Sequence, residues 1–451
     1  MEAIEVHGHW WLLGHEAKPI PGTLKIDENG GAQLILIGTL RNLDDLGEKK
    51  TENAATTTAI TESALERSGT YRRIHGVAGA HSYTLEDCFQ KRSTGFMGGT
   101  VPTEVVHVNQ VFRNVHYEEG EDTVAVGVSF APRFLSHWVR RDGLTQSISQ
   151  FSRENPEEAA SHPSVSVHGY RLPSEDITLP DGSQLHLRQR LTLSGNGIDS
   201  KSVEQLHYFR YDASGLRHMQ ELLEVASDLQ DIVSIATNRT AQFDEVNFHH
   251  PDIKTHPKSD TSGLKPISFF ARWNAVSDST KKPPSSLLFT FRDLGGMDGL
   301  ASWMQVAARY RHSLGRVMAT RYSASMPVSD RLLNRAASLE SFDRDRNGDS
   351  IDFGPRMARC ASYAGGYFNE MIKDRRKWSR MVKADRDDIA HNLGRSRETT
   401  EQYFLSESLY WLFVFCLLKE CNAPREAFRS IKESPDYTWL CARVSALVAA
   451  S

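Results

Sequence analysis

Residues 303–317 read Trp-Met-Gln-Val-Ala-Ala-Arg-Tyr-Arg-His-Ser-Leu-Gly-Arg-Val, and this stretch decides how the second part of the chain folds. Large apolar residues recur in it every three or four positions, at Trp303, Val306, Tyr310, Leu314 and Val317. Residues at this spacing lie on one face of an α-helix. The stretch therefore predicts an amphipathic helix that buries this face.

The helical period continues towards the C-terminus. We predict four more helices: one after Pro327, one that opens at Gly354-Pro355, one from about Arg376 to Leu393 with Gly394 as its C-cap, and one from Thr399 to Cys421. The Gly365-Gly366 pair should kink or weaken the second of these. The helix from Thr399 is apolar nearly all round, so we expect it in the middle of a bundle.

The first 290 residues have a different pattern, with short alternating stretches separated by turns. Residues 23–26 and 34–37 predict a hairpin, residues 124–130 a half-buried strand, and Leu179-Pro180-Asp181-Gly182 a turn between two strands. Residues 288–291 predict a last strand, and one helix is expected near residues 216–236. Several short strands of this kind favour a sandwich-like β architecture.

The expected fold class is therefore α+β, with a boundary near residue 295. A β-rich region that can comprise two subdomains should occupy residues 1–295, and a helical bundle residues 296–451. Four polar stretches predict exposed loops or linkers: 44–70, 152–166, 251–263 and 277–286. The first is expected to be a long mobile insertion.

Composition excludes several classes of protein. The longest apolar run, Leu409 to Leu418, is far shorter than the roughly 20 residues that cross a bilayer, and Met1 to Glu5 do not resemble a signal peptide. The five cysteines are scattered without a CxxC pair, which predicts reduced thiols in a cytoplasmic protein. The net charge of −4 divides unevenly, because residues 296–451 carry 24 Lys and Arg against 19 Asp and Glu.

The helix predicted from Arg376 carries the residues best suited to catalysis. Its apolar stripe consists of Trp378, Val382, Ile389 and Leu393. His391 lies about 160° from Ile389, so it should point away from the core. Asp387 precedes His391 by four residues on the same face and is placed to orient the imidazole. Arg386 falls at the border of the stripe, where a long side chain can reach a groove.

An arginine and a histidine can together cleave RNA. A histidine can take a proton from the ribose 2′-OH or give one to the leaving oxygen, and an arginine can stabilise charge on the phosphate. This reaction needs no cofactor and no metal. The non-catalytic interpretation is that Arg386, Asp387 and His391 form a solvated polar face of the helix. The spacing alone does not exclude this interpretation.

The spacing Arg386-x4-His391, with a polar residue after the arginine, resembles the motif of HEPN domains, a family of helical nucleases. Leu339-Glu340 loosely resembles the acidic position on that family's second long helix. The segments His9-Trp10-Trp11-Leu12 and Pro21-Gly22-Thr23-Leu24 resemble the β-rich N-terminal domain of ApeA-type anti-phage proteins, which precedes a C-terminal HEPN domain.

These resemblances imply a homodimeric, metal-independent endoribonuclease of abortive infection. They imply that its motifs face each other across the helical domains, and that its β-rich region senses a phage-derived trigger. Some HEPN domains are not catalytic, so the fold by itself does not establish activity. The alternative function is a ligand-binding protein in which the helical part is only a dimerisation scaffold.

Two other features have competing interpretations. His7, His9 and His15 could suggest a metal site, but no third ligand with a supporting shell is identifiable, so polar strand positions are favoured. Trp10 and Trp11 could form a binding platform, but adjacent strand residues point to opposite faces, so at least one should be core.

Overall fold

The computed structural model describes residues 2–41, 47–52, 55–60, 69–94, 101–118, 120–149, 164–255, 263–272, 284, 286–323, 325–391, 394 and 397–451. These residues form two compact units that alternate along the chain. The barrel unit comprises Met1–Phe130, Asp212–Leu223 and Phe243–Trp273, and the helical unit comprises Ala131–Tyr211, Glu224–Gln242 and Asn274–Ser451.

The strands are numbered in chain order. They are β1 (Ile4–Leu12), β2 (Ile20–Ile26), β3 (Ala32–Ile37), β4 (Gly47–Glu52), β5 (Ala55–Ile60), β6 (Thr70–Ala78), β7 (His81–Thr94), β8 (Thr103–Arg113), β9 (Val124–Pro132), β10 (Leu144–Ser149), β11 (Ser164–Gly169), β12 (Glu175–Thr178), β13 (Gln184–Ser194), β14 (Ser202–His218), β15 (Phe243–His249) and β16 (Ile267–Ala271).

The helices are likewise numbered along the chain. They are α1 (Leu135–Val139), α2 (Met219–Thr237), α3 (Gly296–Arg309), α4 (Arg311–Tyr322), α5 (Val328–Asn347), α6 (Phe353–Ala364), α7 (Gly366–Ile372), α8 (Arg375–His391), α9 (Thr399–Glu420), α10 (Arg425–Glu433) and α11 (Pro435–Ala450).

Six antiparallel strands of the barrel unit close into a β-barrel. The order is β8-β3-β2-β1-β6-β7, and β7 pairs in turn with β8. Alternate residues of each strand point inwards and fill the interior, among them Leu24, Leu34, Ile74, Leu85 and Val106. The alternating apolar residues predict this inward face directly, because successive side chains of a strand point to opposite sides.

A close contact between β1 and β6 shapes the barrel interior. Trp10 is fully buried and lies opposite Gly76 in the register of the two strands. A Cβ atom on Gly76 would lie 2.1 Å from Cε3 of Trp10, so only glycine leaves room for the indole. Trp11, the next residue, is half-buried. The prediction that at least one of the two tryptophans is core is confirmed.

The β-rich character of the N-terminal region is confirmed, whereas its sandwich-like arrangement is wrong. The β2–β3 hairpin, strand β9 and the β12–β13 hairpin lie where the sequence predicts them. The pairing of β7 with β8 closes the sheet on itself instead of leaving two stacked sheets. Turn signals locate strand ends but do not specify which edges meet.

Two local predictions in this region are also wrong. Residues 288–291 form bends and the start of a turn rather than a strand, although Leu288, Phe289 and Phe291 are buried. The segment 44–70 contains a hairpin, β4 with β5, within the stretch predicted as a loop. Of the other predicted loops, residues 152–163, 256–262 and 277–283 lie outside the described residues.

The helices of the C-terminal part pack around α9. Fifteen residues of α9 are buried, including a continuous run from Leu405 to Leu418. Helices α5, α6 and α11 pack directly against it. The prediction of a central, nearly all-apolar helix from Thr399 is therefore confirmed, as is a C-terminal helical region.

Two predicted helices are each divided. The apolar stripe from Trp303 to Val317 is shared by α3 and α4, because the chain leaves helical geometry at Tyr310, which has φ −108° and ψ 22°. The helix predicted from Gly354 is divided into α6 and α7 at Gly365, which has φ +88°. The kink expected at the Gly365-Gly366 pair is thus a complete break, since left-handed backbone ends a helix.

Helix α2, predicted near residues 216–236, carries two buried carboxylates within the helical unit. Asp228 accepts hydrogen bonds from Arg311, at 2.6 Å from Nη2. Its backbone carbonyl accepts from the indole of Trp303 at 2.7 Å. One turn later, Asp231 accepts from the hydroxyl of Tyr322. Burial raises the pKa of both carboxyl groups, that of Asp231 well above its usual value.

The cysteines are unpaired, as the sequence predicts for reduced thiols. Cys88 is buried in the barrel unit, and Cys360, Cys416 and Cys421 are buried in the helical unit, while Cys441 is half-buried. Burial raises the pKa of the Cys88, Cys416 and Cys421 thiols. Among the helices described, none is both long and apolar enough to cross a membrane.

Candidate functional site

Helix α8 carries all three residues predicted to form the site. It starts after Asp374, whose carboxylate accepts hydrogen bonds from the backbone N–H groups of Arg376 and Lys377 at 2.9 and 3.0 Å. These bonds satisfy two N–H groups that have no partner within the helix. They also lower the pKa of the Asp374 carboxyl, with the bond from Lys377 as the larger cause. A short polar side chain therefore fixes where the helix begins.

The buried face of α8 packs chiefly against α6 and α5, and one side-chain hydrogen bond joins it to α9. Trp378 is fully buried, and its indole N–H donates to the Ser408 hydroxyl at 3.0 Å. Met381 and Val382 are also buried. Ile389, which was predicted to lie on the same core stripe, is only half-buried, and Leu393 lies outside the described residues. The apolar face thus covers the first half of the helix, and its last turns approach the surface.

A buried carboxylate ties the last turns of α8 to the start of α9. Asp385 accepts from Nε of Arg397 at 3.1 and 3.2 Å through its two oxygens, and Arg397 also contacts Glu401 at 3.4 Å. Burial raises the pKa of the Asp385 carboxyl despite this partner. This role was not identified from the sequence, although a helical wheel places Asp385 about 20° from Trp378, on the apolar stripe.

Arg386 lies at the border between core and surface, as predicted, with its side chain 36% exposed. One guanidinium nitrogen is 3.0 Å from Oδ1 of Asp387, and the other is 3.9 Å from Oε2 of Glu340 on α5. The guanidinium carbon lies 5.0 Å from the centre of the Phe353 ring on α6. Three neighbours on three helices therefore position this cation while one part of it stays accessible.

His391 is the last residue of α8 and is exposed, which agrees with its predicted position off the core. An ideal helix places it about 140° around the axis and about 7.5 Å along it from Arg386. The structure thus presents both groups at the surface end of one helix, but the helix points them in different directions.

Asp387 contacts a different partner from the one predicted. Its carboxylate accepts from Arg386, whereas the sequence suggested that it orients His391. Within the described part of the chain, the structure shows no hydrogen bond between Asp387 and His391. The observed pair is Arg386 with Asp387, and the orienting role towards the histidine stays a prediction.

Two further residues, Glu340 and Phe353, contact Arg386, and the sequence indicates only the first of them. Glu340 resembles the family's acidic position only loosely in sequence, and the structure places it beside Arg386. Phe353 was not identified, since the contact of its ring with Arg386 depends on how α6 crosses α8. A helical wheel cannot report contacts between helices that are distant in sequence.

The arrangement suits general acid–base chemistry next to a positioned cation. His391 can exchange a proton with a ribose hydroxyl, and Arg386 can bind a phosphate oxygen. Over the residues that the structure describes, no group of three or more His, Cys, Asp and Glu side chains is arranged to hold a metal ion. His7, one of the histidines considered for a metal, instead lies 2.9 Å from the Thr23 hydroxyl.

Comparison with known protein families gives a match to the first part of the chain. The family model described as ApeA N-terminal domain 1 matches residues 5–301 of the 451. No curated protein and no solved structure matches the chain. The matched segment covers well over half of the chain and includes nearly all of β1 and the whole of β2 to β16. The chain therefore belongs to the family of ApeA-type proteins.

Proposed function

We propose that the chain is a metal-independent endoribonuclease of HEPN type that acts in anti-phage defence. Membership of the ApeA family suggests a role in anti-phage defence. The ribonuclease proposal rests on one observation: α8 presents an exposed His391 at its end and a partly exposed, firmly positioned Arg386 five residues earlier. The catalytic domain would comprise residues 296–451, act on RNA in the cytoplasm and be regulated by residues 1–295.

In the proposed reaction, the 2′-oxygen of the ribose attacks the adjacent phosphorus, and the bond to the 5′-oxygen of the next nucleotide breaks. His391 takes the proton from the 2′-hydroxyl or donates one to the leaving 5′-oxygen. Arg386 binds the non-bridging oxygens and stabilises their increased charge in the transition state. The product ends are a 2′,3′-cyclic phosphate and a 5′-hydroxyl.

The positions of Asp387 and Glu340 support the role of Arg386. An arginine that contacts two carboxylates and an aromatic ring has few orientations available, so it loses little conformational entropy when it binds a phosphate. The side chains of Asp387 and Glu340 are 32% and 27% exposed, so the guanidinium of Arg386 stays accessible to solvent beside them. We therefore assign Arg386 and His391 as catalytic residues, and Asp387 and Glu340 as positioning residues.

The test compares His391→Ala and Arg386→Ala with the wild-type protein in cleavage of purified RNA. The matched control is His312→Ala, because His312 is also exposed on a helix of the same region. Both catalytic variants should lose cleavage by about 100-fold or more, whereas the control should cleave normally. All three should keep the wild-type melting temperature within a few degrees, since surface substitutions change stability by about 0.5 kcal/mol or less.

Three outcomes would contradict the proposal. Cleavage by His391→Ala at the wild-type rate removes the catalytic assignment. Loss of activity in EDTA that Mg²⁺ or Mn²⁺ restores would assign the reaction to a metal. If the purified wild-type protein binds a ligand through its β-rich region and cleaves no RNA when that ligand is added, the alternative of a binding protein with a helical scaffold is favoured.

A further inference from the structure

Helix α7 is a short element between two residues whose backbone has a positive φ. It comprises the seven residues Gly366–Ile372. Gly365 precedes it with φ +88°, and Lys373 follows it with φ +56°. Glycine adopts such a backbone readily, whereas a residue with a Cβ atom does so at a cost in energy. The two ends of α7 therefore differ, because only the end at Lys373 carries this cost.

The backbone at Lys373 forms a γ-turn. Its φ of 56° and ψ of −63° are close to those of the γ-turn whose central residue has a positive φ, which is a rare and strained turn. The backbone N–H of Asp374 closes the turn by donating to the carbonyl of Ile372 at 2.6 Å. The side chain of Lys373 is exposed, so little packing offsets the strain. The joint between α7 and α8 is thus both short and strained.

This joint couples the position of α7 to that of α8. Phe368 of α7 packs edge-on against Trp378 of α8, with ring centres 5.5 Å apart. Directly after the γ-turn, the Asp374 carboxylate caps the first turn of α8. Arg386 and His391 lie in the last turns of the same helix. A helix transmits displacement as a rigid element, so a shift of its first turn changes where its last turns lie.

Helix α11 holds α7 through side-chain hydrogen bonds to the backbone. The Ser445 hydroxyl donates to the carbonyl of Met371 at 2.8 Å, and the Tyr437 hydroxyl donates to the carbonyl of Tyr367 at 3.0 Å. Met371 belongs to the last turn of α7, where carbonyl groups have no partner within the helix. These two bonds join α11 to both ends of α7, and they stabilise the arrangement in which Lys373 is strained.

A cavity beside α7 gives the helix room to move. Its volume is about 1140 Å³, and Gly366, Tyr367 and Glu370 of α7 line it together with residues of α10 and the end of α9. Oε2 of Glu370 lies 2.7 Å from Nζ of Lys432 on α10. These two side chains are 54% and 44% exposed, so their ion pair adds little to stability. The contact with α10 therefore restrains α7 only weakly.

We propose that α7 is a hinged segment that α11 holds in a strained position, and that its release relaxes Lys373 and moves α8. In the held state, Arg386 contacts Glu340 and Phe353. In the released state, Lys373 returns to a negative φ and α7 shifts towards the cavity. The effect of this device on RNA cleavage rests on the proposed function, because α8 carries the proposed catalytic residues. The hinge itself does not depend on that function.

The test is hydrogen–deuterium exchange of the full chain, measured by mass spectrometry at residues 376–382 of α8. Lys373→Gly is compared with Lys373→Ala, because both remove the same side-chain charge and only glycine removes the Cβ atom. Relief of strain should make exchange in Lys373→Gly about threefold or more slower than in Lys373→Ala. The greater freedom of glycine alone would make exchange faster, so the two explanations differ in sign. Residues 332–339 of α5 are the internal reference.

Ser445→Ala tests the part played by α11. Loss of the hydrogen bond to Met371 should make exchange at residues 376–382 about threefold or more faster than in the wild type. Ser362→Ala is the matched control, since Ser362 is an exposed serine on α6. It should leave exchange in α8 unchanged.

The supporting pattern is slower exchange in Lys373→Gly, faster exchange in Ser445→Ala and no change in α5. Exchange in Lys373→Gly as fast as in Lys373→Ala, or faster, would show that the turn stores no strain and would overturn the proposal. Equal slowing in α5 would also overturn it, because strain would then be released only when the whole helical unit unfolds. Wild-type exchange in Ser445→Ala would contradict the holding role of α11. None of these measurements uses RNA, so a confirmed hinge in a protein that cleaves no RNA would contradict the proposed function alone.

Discussion

Nη2 of Arg386 on α8 lies 3.9 Å from Oε2 of Glu340 on α5, so the proposed phosphate-binding arginine is in contact with a carboxylate from another helix. Nη1 of the same guanidinium contacts the neighbouring residue Asp387. A contact with a residue of another helix restricts the arginine more than a contact within its own helix does, because packing fixes the positions of both helices. The orientation of Arg386 therefore depends on how α5 and α8 pack.

Replacing Glu340 with glutamine should reduce RNA cleavage by about tenfold while leaving stability almost unchanged. An exposed ion pair at this distance contributes about 1 kcal/mol or less to folding, whereas a small misplacement of a catalytic group lowers the rate strongly. The measurement is kcat and KM for a short RNA, together with a urea unfolding curve.

Glu398→Gln is the control for this experiment, since Glu398 is an exposed carboxylate just before α9. Restored cleavage in Glu340→Asp would support positioning by charge. An unchanged kcat in Glu340→Gln, or an equal loss in Glu398→Gln, would show that Glu340 does not position Arg386.

Mixing two inactive variants should restore activity if the site is shared between two copies of the chain. Arg386 and His391 are about 140° apart on one helix, which makes it difficult for one chain to direct both at one phosphate. Across a two-fold interface, Arg386 of one copy could face His391 of the other. Arg386→Ala and His391→Ala proteins that are unfolded together and refolded should then regain about a quarter of the wild-type sites.

The control is each variant refolded alone, which should stay inactive. Analytical ultracentrifugation establishes whether dimers form before activity is interpreted. Mixed dimers that form in the expected proportion and show no recovered cleavage would count against a site built from one arginine and one histidine of different copies.

Gly76→Ala should destabilise the barrel by about 1–3 kcal/mol or more, because its Cβ would overlap the indole of Trp10, and overpacking of a filled core costs energy of that order. Urea unfolding followed by tryptophan fluorescence measures the loss. Gly69→Ala is the matched control, because no atom of the residues that the structure describes lies within 4 Å of the Cβ position at Gly69. Equal stability of the two variants would show that the barrel accommodates the added methyl group without a loss in the free energy of unfolding.

Asp231→Asn should change how stability depends on pH. Burial raises the pKa of the Asp231 carboxyl, so the folded chain keeps a proton that the unfolded chain loses at a pH near 3.8. The free energy of unfolding is therefore not reduced by this group below that pH. It decreases as the pH rises towards the higher pKa of the folded state. The asparagine variant can still accept from Tyr322 and lacks this loss, so it should be more stable than wild type at neutral pH.

The measurement for Asp231→Asn is the free energy of unfolding in urea between pH 4 and pH 8. The difference between variant and wild type should grow with pH and then level off. Glu221→Gln, at an exposed position on the same helix, should show no such growth. A difference that is constant with pH would show that the folded and unfolded carboxyl groups titrate alike.

The sequence predicted the type and place of many elements but not how they join. Period-two patterns placed β2, β3 and β9, and the period of 3.6 placed α8 and α9, because burial acts on each element separately. Barrel closure between β7 and β8 and the break at Tyr310 depend on neighbours that are distant in sequence. Residues 288–291 are buried and apolar without being a strand, since burial alone does not require pairing.

The candidate site was predictable to a similar extent. The helical wheel correctly placed His391 on the surface and Arg386 at the border of the core. It could not show that Asp387 contacts the arginine, because that depends on rotamers. It also could not predict that residues from separate parts of the chain, between Leu12 and Gly120, line one cavity of the barrel unit.

The buried thiols make each unit a reporter of its own unfolding. Cys88 is enclosed in the barrel unit, and Cys360, Cys416 and Cys421 are enclosed in the helical unit. A thiol shielded from solvent reacts with an alkylating reagent only when its surroundings open, so its labelling rate measures the population of the open state. Once Cys441 is replaced by serine, mass spectrometry of the labelled peptides would follow the opening of the two units independently in one sample. The Gly76→Ala substitution should then speed labelling at Cys88, and any change at the other three sites would reveal energetic coupling between the units.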